Sequence, residues 1–544
     1  MKSNKKEIII VAIILLIQTI VFVVAGIKKS YMHMDEALSV ALTHYDKLYI
    51  QDNEDFFNTW HNSNYYKDYM TIDEEEKNNF KPVYENQKND VHPPLYYLLL
   101  RIAENFNIGS FSKWPAIILN IIIYLFTTIF MYLIIKKLLT RFSHYKEKSA
   151  ILALVSGLIM SSINNVIYIR MYALANMCIV ITTYLHLKLL DKSEKNNMLL
   201  FAIGLIALIG SLTHYYYLIY LAILAIMFVI RYIKNKSYKA LGKYICTMIL
   251  AGIVSIAIFP YLIEHIFLGY RGQGVIDNLI NIPKFLAGIG QYLLVLNEYT
   301  FNMILFFLIV FVLAVIAYKK VKKVKLIDVN NKYVKYIAIP TFGYFILIAI
   351  TAPWKDLRYM MPVCNLIFIL VIYFLILLLK NITKEKILNT IIVTIFILMA
   401  IMPTVSIYII SIITGKTTKI EPQAMYSAKK DIVEMTKNEL SGLPALYIMN
   451  SGNERFLDDI LLFMNIEESY IALDIECSEE KIKEIFLDKD TSDGVIVFIN
   501  DIQDNETILN TIKEALNLNE ITHLERLNSG EVYLIKQRII SKMI

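Results

Sequence analysis

Apolar stretches long enough to cross about 30 Å of hydrocarbon recur along the chain. Eleven can be counted: 8–27, 115–135, 149–168, 172–190, 198–213, 216–232, 244–267, 302–318, 336–352, 359–379 and 388–412. The stretches around 149–190 and 198–232 also allow a long bent hairpin or a re-entrant turn in place of plain crossings. Beyond residue 412 the pattern changes. Short β-type runs stand at Ala445–Met449, Tyr470–Asp474, Gly494–Asn500 and Glu531–Lys536. Helix-compatible stretches lie between them, at Ser478–Leu487 and Asn505–Leu516. Strand and helix alternation predicts a small α/β domain. The expected fold is therefore an α-helical polytopic membrane protein of about eleven spans, residues 1–412, followed by a C-terminal α/β domain, residues 413–544.

Composition agrees with the pattern. Of 544 residues, 56% are hydrophobic and only 19% charged, less charge than a soluble chain of this length carries. The N-terminal stretch is too long for a cleaved signal, and no small-residue cleavage site precedes the acidic pair after it. Cysteines are few, and Cys178, Cys246 and Cys364 lie in apolar stretches, so no disulfide framework is implied.

The net charge of +6 says less than its distribution. Every second connection is basic, as in Lys136–Lys148, Arg231–Lys243, Lys319–Lys335 and Lys380–Lys386. The alternate short connections hold only Arg170, Arg271 with Lys284, and Lys355 with Arg358. Lysine and arginine mark the cytoplasmic side, which puts the N-terminus inside and residues 28–114 outside. An odd number of spans puts the tail outside as well.

The outward segments hold the candidate chemistry. Asp35-Glu36 follows the first span, where carboxylates are cheap compared with the bilayer centre. Adjacent helical residues point about 100° apart, so one of the two faces a given substrate. Asp35 suits a general base and Glu36 a supporting acid; the plainer reading is a solvated helix end. The first loop ends in His92-Pro93-Pro94, and the prolines open an amphipathic helix whose Leu95, Leu98, Leu99 and Ile102 share a face. Tyr96 and Tyr97 suit the headgroup level. His92 can touch a phosphate, help to bind a metal, or simply pack. Arg170, Lys355 and Arg358 are outward cations in a chain that keeps its cations inside. A phosphate is their natural partner, with headgroups or Asp356 as the simpler alternative. His214 and Tyr172 stand at neighbouring span ends. Asp35, Glu36 and His92 offer oxygen and nitrogen ligands for a divalent cation, at a spacing that does not select one.

At Asp35-Glu36, His92-Pro93-Pro94-Leu95-Tyr96-Tyr97, Arg170-Met171-Tyr172-Ala173-Leu174 and Arg358-Tyr359, the chain resembles the C-type membrane glycosyltransferases. It is most similar to the dolichyl- or polyprenyl-phosphate-sugar transferases that include protein mannosyltransferases and lipid A aminoarabinose transferases. The resemblance covers roughly residues 5–410 by layout. It implies a catalytic aspartate at Asp35, inverting transfer from a polyprenyl-phosphate sugar, and a helix lying along the membrane after the paired prolines. It implies a plasma-membrane enzyme whose acceptor is an extracytoplasmic glycan, lipid or protein, with no nucleic acid. It suggests His92, Arg170, Tyr172, His214, Lys355 and Arg358 as donor contacts. One departure stands out. Many bacterial members carry Gln-Glu-Ala-Arg where this chain has Ile167-Tyr168-Ile169-Arg170, so the arginine is kept and the acid is missing. A transporter or flippase is the main alternative, but such proteins place ionisable groups near the midplane. A scaffold presenting the tail is the third reading, and it leaves the outward acid and base groups without a role.

Sidedness is directly testable. In a chain whose native cysteines are replaced by alanine, Glu75→Cys and Asn505→Cys should both react with an impermeant maleimide in intact cells. Protection at both positions would reverse the topology.

Overall fold

The computed structural model describes residues 2–191, 196–267, 282–327, 331–380, 382–414, 430–450, 454–500, 504–527 and 529–537. Arg271 lies outside them. The chain is a polytopic α-helical membrane protein with an appended mixed sheet. Among the described residues, eight helices are long and apolar enough to span a membrane, and two bent helix pairs raise the number to ten. The predicted stretch 198–213 forms the shorter apolar helix Asn197–Ser211, of 15 residues.

Both bends have local causes. Tyr145–Leu158 and Met160–Ile167 meet at 58°. Ile159 between them is extended, with φ −64° and ψ 150°. Beside this break the buried amide of Gln18, from the first helix, donates to Ala153 O and Leu154 O at 3.2 Å each and accepts from Thr128 Oγ1 at 2.7 Å. The amide takes the space over Gly157, where a Cβ would stand 2.1 Å from Gln18 Nε2. One polar side chain thus ties three helices, a bond type suited to surroundings without water. The second pair, Pro283–Thr300 and Leu305–Val321, meets at 103°. A π-helical turn, Leu296–Thr300, ends the first arm, and Asn302 and Met303 follow with positive φ. Asn297 Oδ1 then accepts from Leu305 N at 3.0 Å and caps the second arm.

The molecule divides into two compact units. The first comprises residues 1–26, 91–96 and 117–423, and the second 27–90, 97–116 and 424–544. Within the first unit, three acids join the basic connections to one another. Asp191 bridges Lys137 and Lys332, Glu7 bridges Lys136 and Lys146, and Glu385 pairs with Lys148. Three of the connections that the charge pattern groups on one side, together with the N-terminal segment, therefore meet at one end of the helices.

The second unit is built on a six-stranded sheet: β1 Trp60–Asn62, β2 Ala445–Met449, β3 Glu468–Leu473, β4 Val495–Ile499, β5 Glu520–Arg526 and β6 Glu531–Lys536. The order is β1-β3-β2-β4-β6-β5. β2 runs parallel to β3 and β4, and both β2 and β4 are buried along their whole length, as parallel strands covered on two faces must be. The four predicted strands are present. β5 and β1 are additional, and β1 comes from the first loop. It pairs antiparallel with β3, Trp60 opposite Tyr470. Trp60 Nε1 donates to Ile485 O at 3.0 Å.

One sheet face packs aliphatic side chains under the helices Glu479–Ile485 and Asn505–Ala515. The other is aromatic. Tyr447 and Phe498 lie against Phe463 and Phe456, and the first loop adds Phe56 and Tyr66. The first loop thus supplies both an edge strand and part of the core. Trp60→Ala should remove that edge anchor and cost about 1–2 kcal/mol, below the scale of a fully buried aromatic truncation because Trp60 is half-buried. The check is the unfolding midpoint of the full chain in detergent. An unchanged midpoint would mean that β1 is dispensable.

Candidate active site

The carboxylate pair lies in the second unit. Helix Met34–Ala41 starts there because His33, in extended backbone, caps it. Asp35 N–H donates to His33 Nδ1 at 3.1 Å, which makes that nitrogen the unprotonated one in this arrangement. Asp35 Oδ2 stands 3.6 Å from the same nitrogen, with the side chain 15% exposed. Glu36 points elsewhere. Its carboxylate pairs with Lys29 Nζ at 2.9 Å, both side chains fully buried, and accepts from His33 N at 2.9 Å. Burial pulls the Lys29 ammonium below its usual pKa, and Glu36 opposes that shift. Of the two acids, Asp35 retains access to solvent.

Two tail residues that sequence reasoning did not single out complete this region. Asp458 Oδ1 accepts from Met34 N at 2.5 Å, so a tail carboxylate caps the Asp35 helix at its positive end. Asp459 Oδ1 accepts from Tyr31 OH at 2.8 Å, and its other oxygen accepts from Ser529. Burial beside these two carboxylates raises Tyr31 well above an ordinary tyrosine. Phe456, set in the aromatic face, lies in the turn Glu454–Asp458 that carries Asp458 and leads into Asp459. The Asp458-Asp459 pair was a visible signal, but nothing in the sequence tied it to residue 34.

His92, Arg170, Tyr172, His214, Lys355 and Arg358 lie in the first unit. Rings join four segments there. The His92 and His214 rings lie 5.9 Å apart and Tyr172 lies 5.3 Å from His214. Tyr359 touches both Tyr172 and Tyr216, at 6.4 and 5.7 Å. Arg358 Cζ sits 5.2 Å from the Tyr359 ring, a cation–π contact, with Asp356 Oδ2 3.6 Å from its Nε. His214 caps helix Tyr215–Lys234 by accepting from Tyr216 N at 3.0 Å.

The scaffold beneath is rigid. Asn176 and Asn365 exchange side-chain hydrogen bonds at 3.1 and 3.0 Å, and Asn176 also donates to Pro362 O at 2.7 Å. That pair locks the helix beginning at Tyr172 to the helix following Arg358. Arg170 is buried next to Tyr172. Lys355 Nζ donates to Ala352 O at 2.6 Å, and burial with Lys284 nearby lowers its pKa. Tyr96 and Tyr97 are not headgroup residues: both are fully buried, and Tyr96 OH donates to Asn120 Oδ1 at 3.2 Å. Among the described residues, no three His, Cys, Asp or Glu side chains are gathered to hold a metal ion.

No family model matches the chain, and no curated protein matches it by sequence. Among solved structures it is similar to ArnT from Cupriavidus metallidurans bound to undecaprenyl phosphate, with TM-score 0.43 and 9% identity over 96% of this chain and 97% of that one. The apo form of ArnT gives TM-score 0.43 and 8% identity over 98% of each chain.

The Lys29–Glu36 pair makes a clear prediction. Lys29→Met leaves a buried carboxylate uncompensated and should cost about 3–5 kcal/mol. Adding Glu36→Leu should recover most of the loss. Unfolding midpoints of the full chain provide the check, and a stable Lys29→Met variant would contradict the pairing.

Proposed function

We propose that this protein is a plasma-membrane glycosyltransferase of the C-type fold, moving a sugar from a polyprenyl-phosphate donor to an acceptor outside the cytoplasm. The observation that carries this reading is the gathering of His92, Tyr172, His214 and Arg358 from four separate segments around shared rings. Imidazole, guanidinium and aromatic groups together suit a phosphate joined to a sugar. Buried placement beside low-dielectric surroundings strengthens each charge contact over its value in water.

The chemistry is a single displacement. Asp35 accepts the proton of the incoming acceptor hydroxyl as that oxygen bonds to the anomeric carbon. The bond from the anomeric carbon to the phosphate oxygen breaks, and the leaving polyprenyl phosphate carries away the electron pair. Arg358 and Arg170, with Lys355 and the histidines, hold that departing charge. Attack opposite the leaving group inverts the anomeric configuration. Glu36 serves by fixing the helix rather than by touching substrate. In this reading the loop 28–114 and the tail face outward, where the acceptor, a cell-envelope glycan, lipid or protein, is met.

Transfer from a defined polyprenyl-phosphate sugar, with the purified chain in nanodiscs, is the test. Arg358→Ala and Arg170→Ala should raise the donor KM or lower kcat/KM by about tenfold or more, the loss expected for a charge-assisted contact. Arg→Lys should restore only part, because a point charge lacks the two-pronged fork. Unchanged donor dependence in both alanine variants would move the clamp elsewhere. A strain lacking the protein that keeps its surface glycans, yet redistributes lipid-linked sugar across the membrane, would favour the transporter reading.

A further inference from the structure

A cavity of about 790 Å³ lies wholly within the second unit, of a size that holds a small ligand. Its walls come from four places: residues 27–32, Lys67 and Thr71, the segment 109–114, and the tail segments 433–437 and 461–465. None of its lining residues belongs to the group around Arg358.

The charge of this cavity is one-sided. Among the described residues, Lys67, Lys113 and Lys437 line it against one acid, Glu434. Lys29 also reaches it, but its charge is matched by Glu36. Lys67 Nζ donates to Ser63 Oγ at 3.1 Å, and Lys113 Nζ donates to the Lys29 carbonyl. Ser110 and Ser112 add hydroxyl groups beside Lys113. Burial, with Lys29 nearby, lowers the Lys113 pKa to about 8, so an anion here would stabilise its charged form.

The rim gives the second half of the argument. Ile27 stands near the end of the first span-length helix, Lys5–Lys28, and Trp114 opens the next, Trp114–Leu139. Two helices long and apolar enough to cross a bilayer thus end at the cavity, and a tryptophan at such an end suits the headgroup level. Lys113 stands 5.9 Å from the Trp114 ring. An occupant meets ammonium and hydroxyl donors on one side and an apolar rim on the other. A phosphomonoester matches the donors best, since it carries nearly two charges and three acceptor oxygens.

We propose that this cavity binds the phosphomonoester headgroup of a membrane amphiphile, separately from the phosphate group assigned to Arg358. The proposal goes beyond the transferase reading and does not require it, since its test reads binding alone.

Native mass spectrometry of the full chain, released from neutral detergent and titrated with dioctanoyl phosphatidic acid, tests the site. A tight adduct that persists in Arg358→Ala is expected, beside any adduct at the donor clamp. Lys113→Gln with Lys437→Gln should weaken it at least tenfold, while Lys113→Arg with Lys437→Arg, which keeps the charge, should retain it. Arg358→Ala should leave it unchanged. Dioctanoyl phosphatidylcholine and inorganic phosphate should each bind at least tenfold more weakly. Equal affinity in the glutamine variant would overturn the site. Equal binding of phosphatidylcholine would reduce it to an apolar groove, and equal binding of inorganic phosphate would replace the lipid with a soluble anion; either result rejects the proposal.

Discussion

Two opposite charges are buried together just past the first span, and the candidate chemistry depends on them. Removing either Lys29 or Glu36 from water is costly, and their mutual contact at 2.9 Å, with the His33 N–H bond to Glu36, offsets the loss. The pair is satisfied in one arrangement of residues 29–36, which fixes the direction of the helix that follows. Because neighbouring helical residues diverge by about 100°, locking Glu36 inward turns Asp35 away from it. The backbone N–H of His33, bonded to Glu36, and the imidazole of His33, accepting from Asp35 N, close that turn. A sequence of two adjacent acids thereby becomes one structural acid and one available acid.

The same region shows why the tail is more than an appendage. Its aromatic sheet face includes Phe56 and Tyr66, and its edge is covered by Trp60–Asn62. From that core the tail returns Asp458 to Met34 N and Asp459 to Tyr31 OH. The loop stabilises the sheet, and the sheet positions the loop. Sequence changes deep in the tail therefore act on Asp35 through packing.

Much of this was legible in the sequence, for reasons that differ by element. Spans read well because a run such as Met361–Leu379 must be apolar throughout, whatever its neighbours. β2, β3 and β4 read well because strands buried on two faces are continuous apolar runs, and β6 read well from its apolar run Val532–Ile535 although it is only half-buried. β5, Glu520–Arg526, was missed because it is half-exposed and polar, and only its pairing with β6 makes it a strand. β1 has three residues, too few for any period, and exists because β3 needs an edge partner. The bend at Ile159 was open in the sequence; the buried Gln18 amide beside it comes from a helix over a hundred residues earlier. His92, Tyr172, His214 and Arg358 were legible as polar residues at span ends, and their convergence follows from alternation of the crossings. Asp458 was not legible, since pairing across the fold leaves no local pattern, and Lys29, seven residues before Glu36, reads as an ordinary lysine at a span end.

The account rests on a division of labour between Asp35 and Glu36, and single-turnover kinetics of Asp35→Asn and Glu36→Gln in the same membrane preparation measure it. Asp35→Asn should bind donor as the native chain does and lose transfer by about 10²-fold or more, the scale of a lost general base. Glu36→Gln should retain far more transfer and fail chiefly in stability. Near-native transfer by Asp35→Asn would contradict the account.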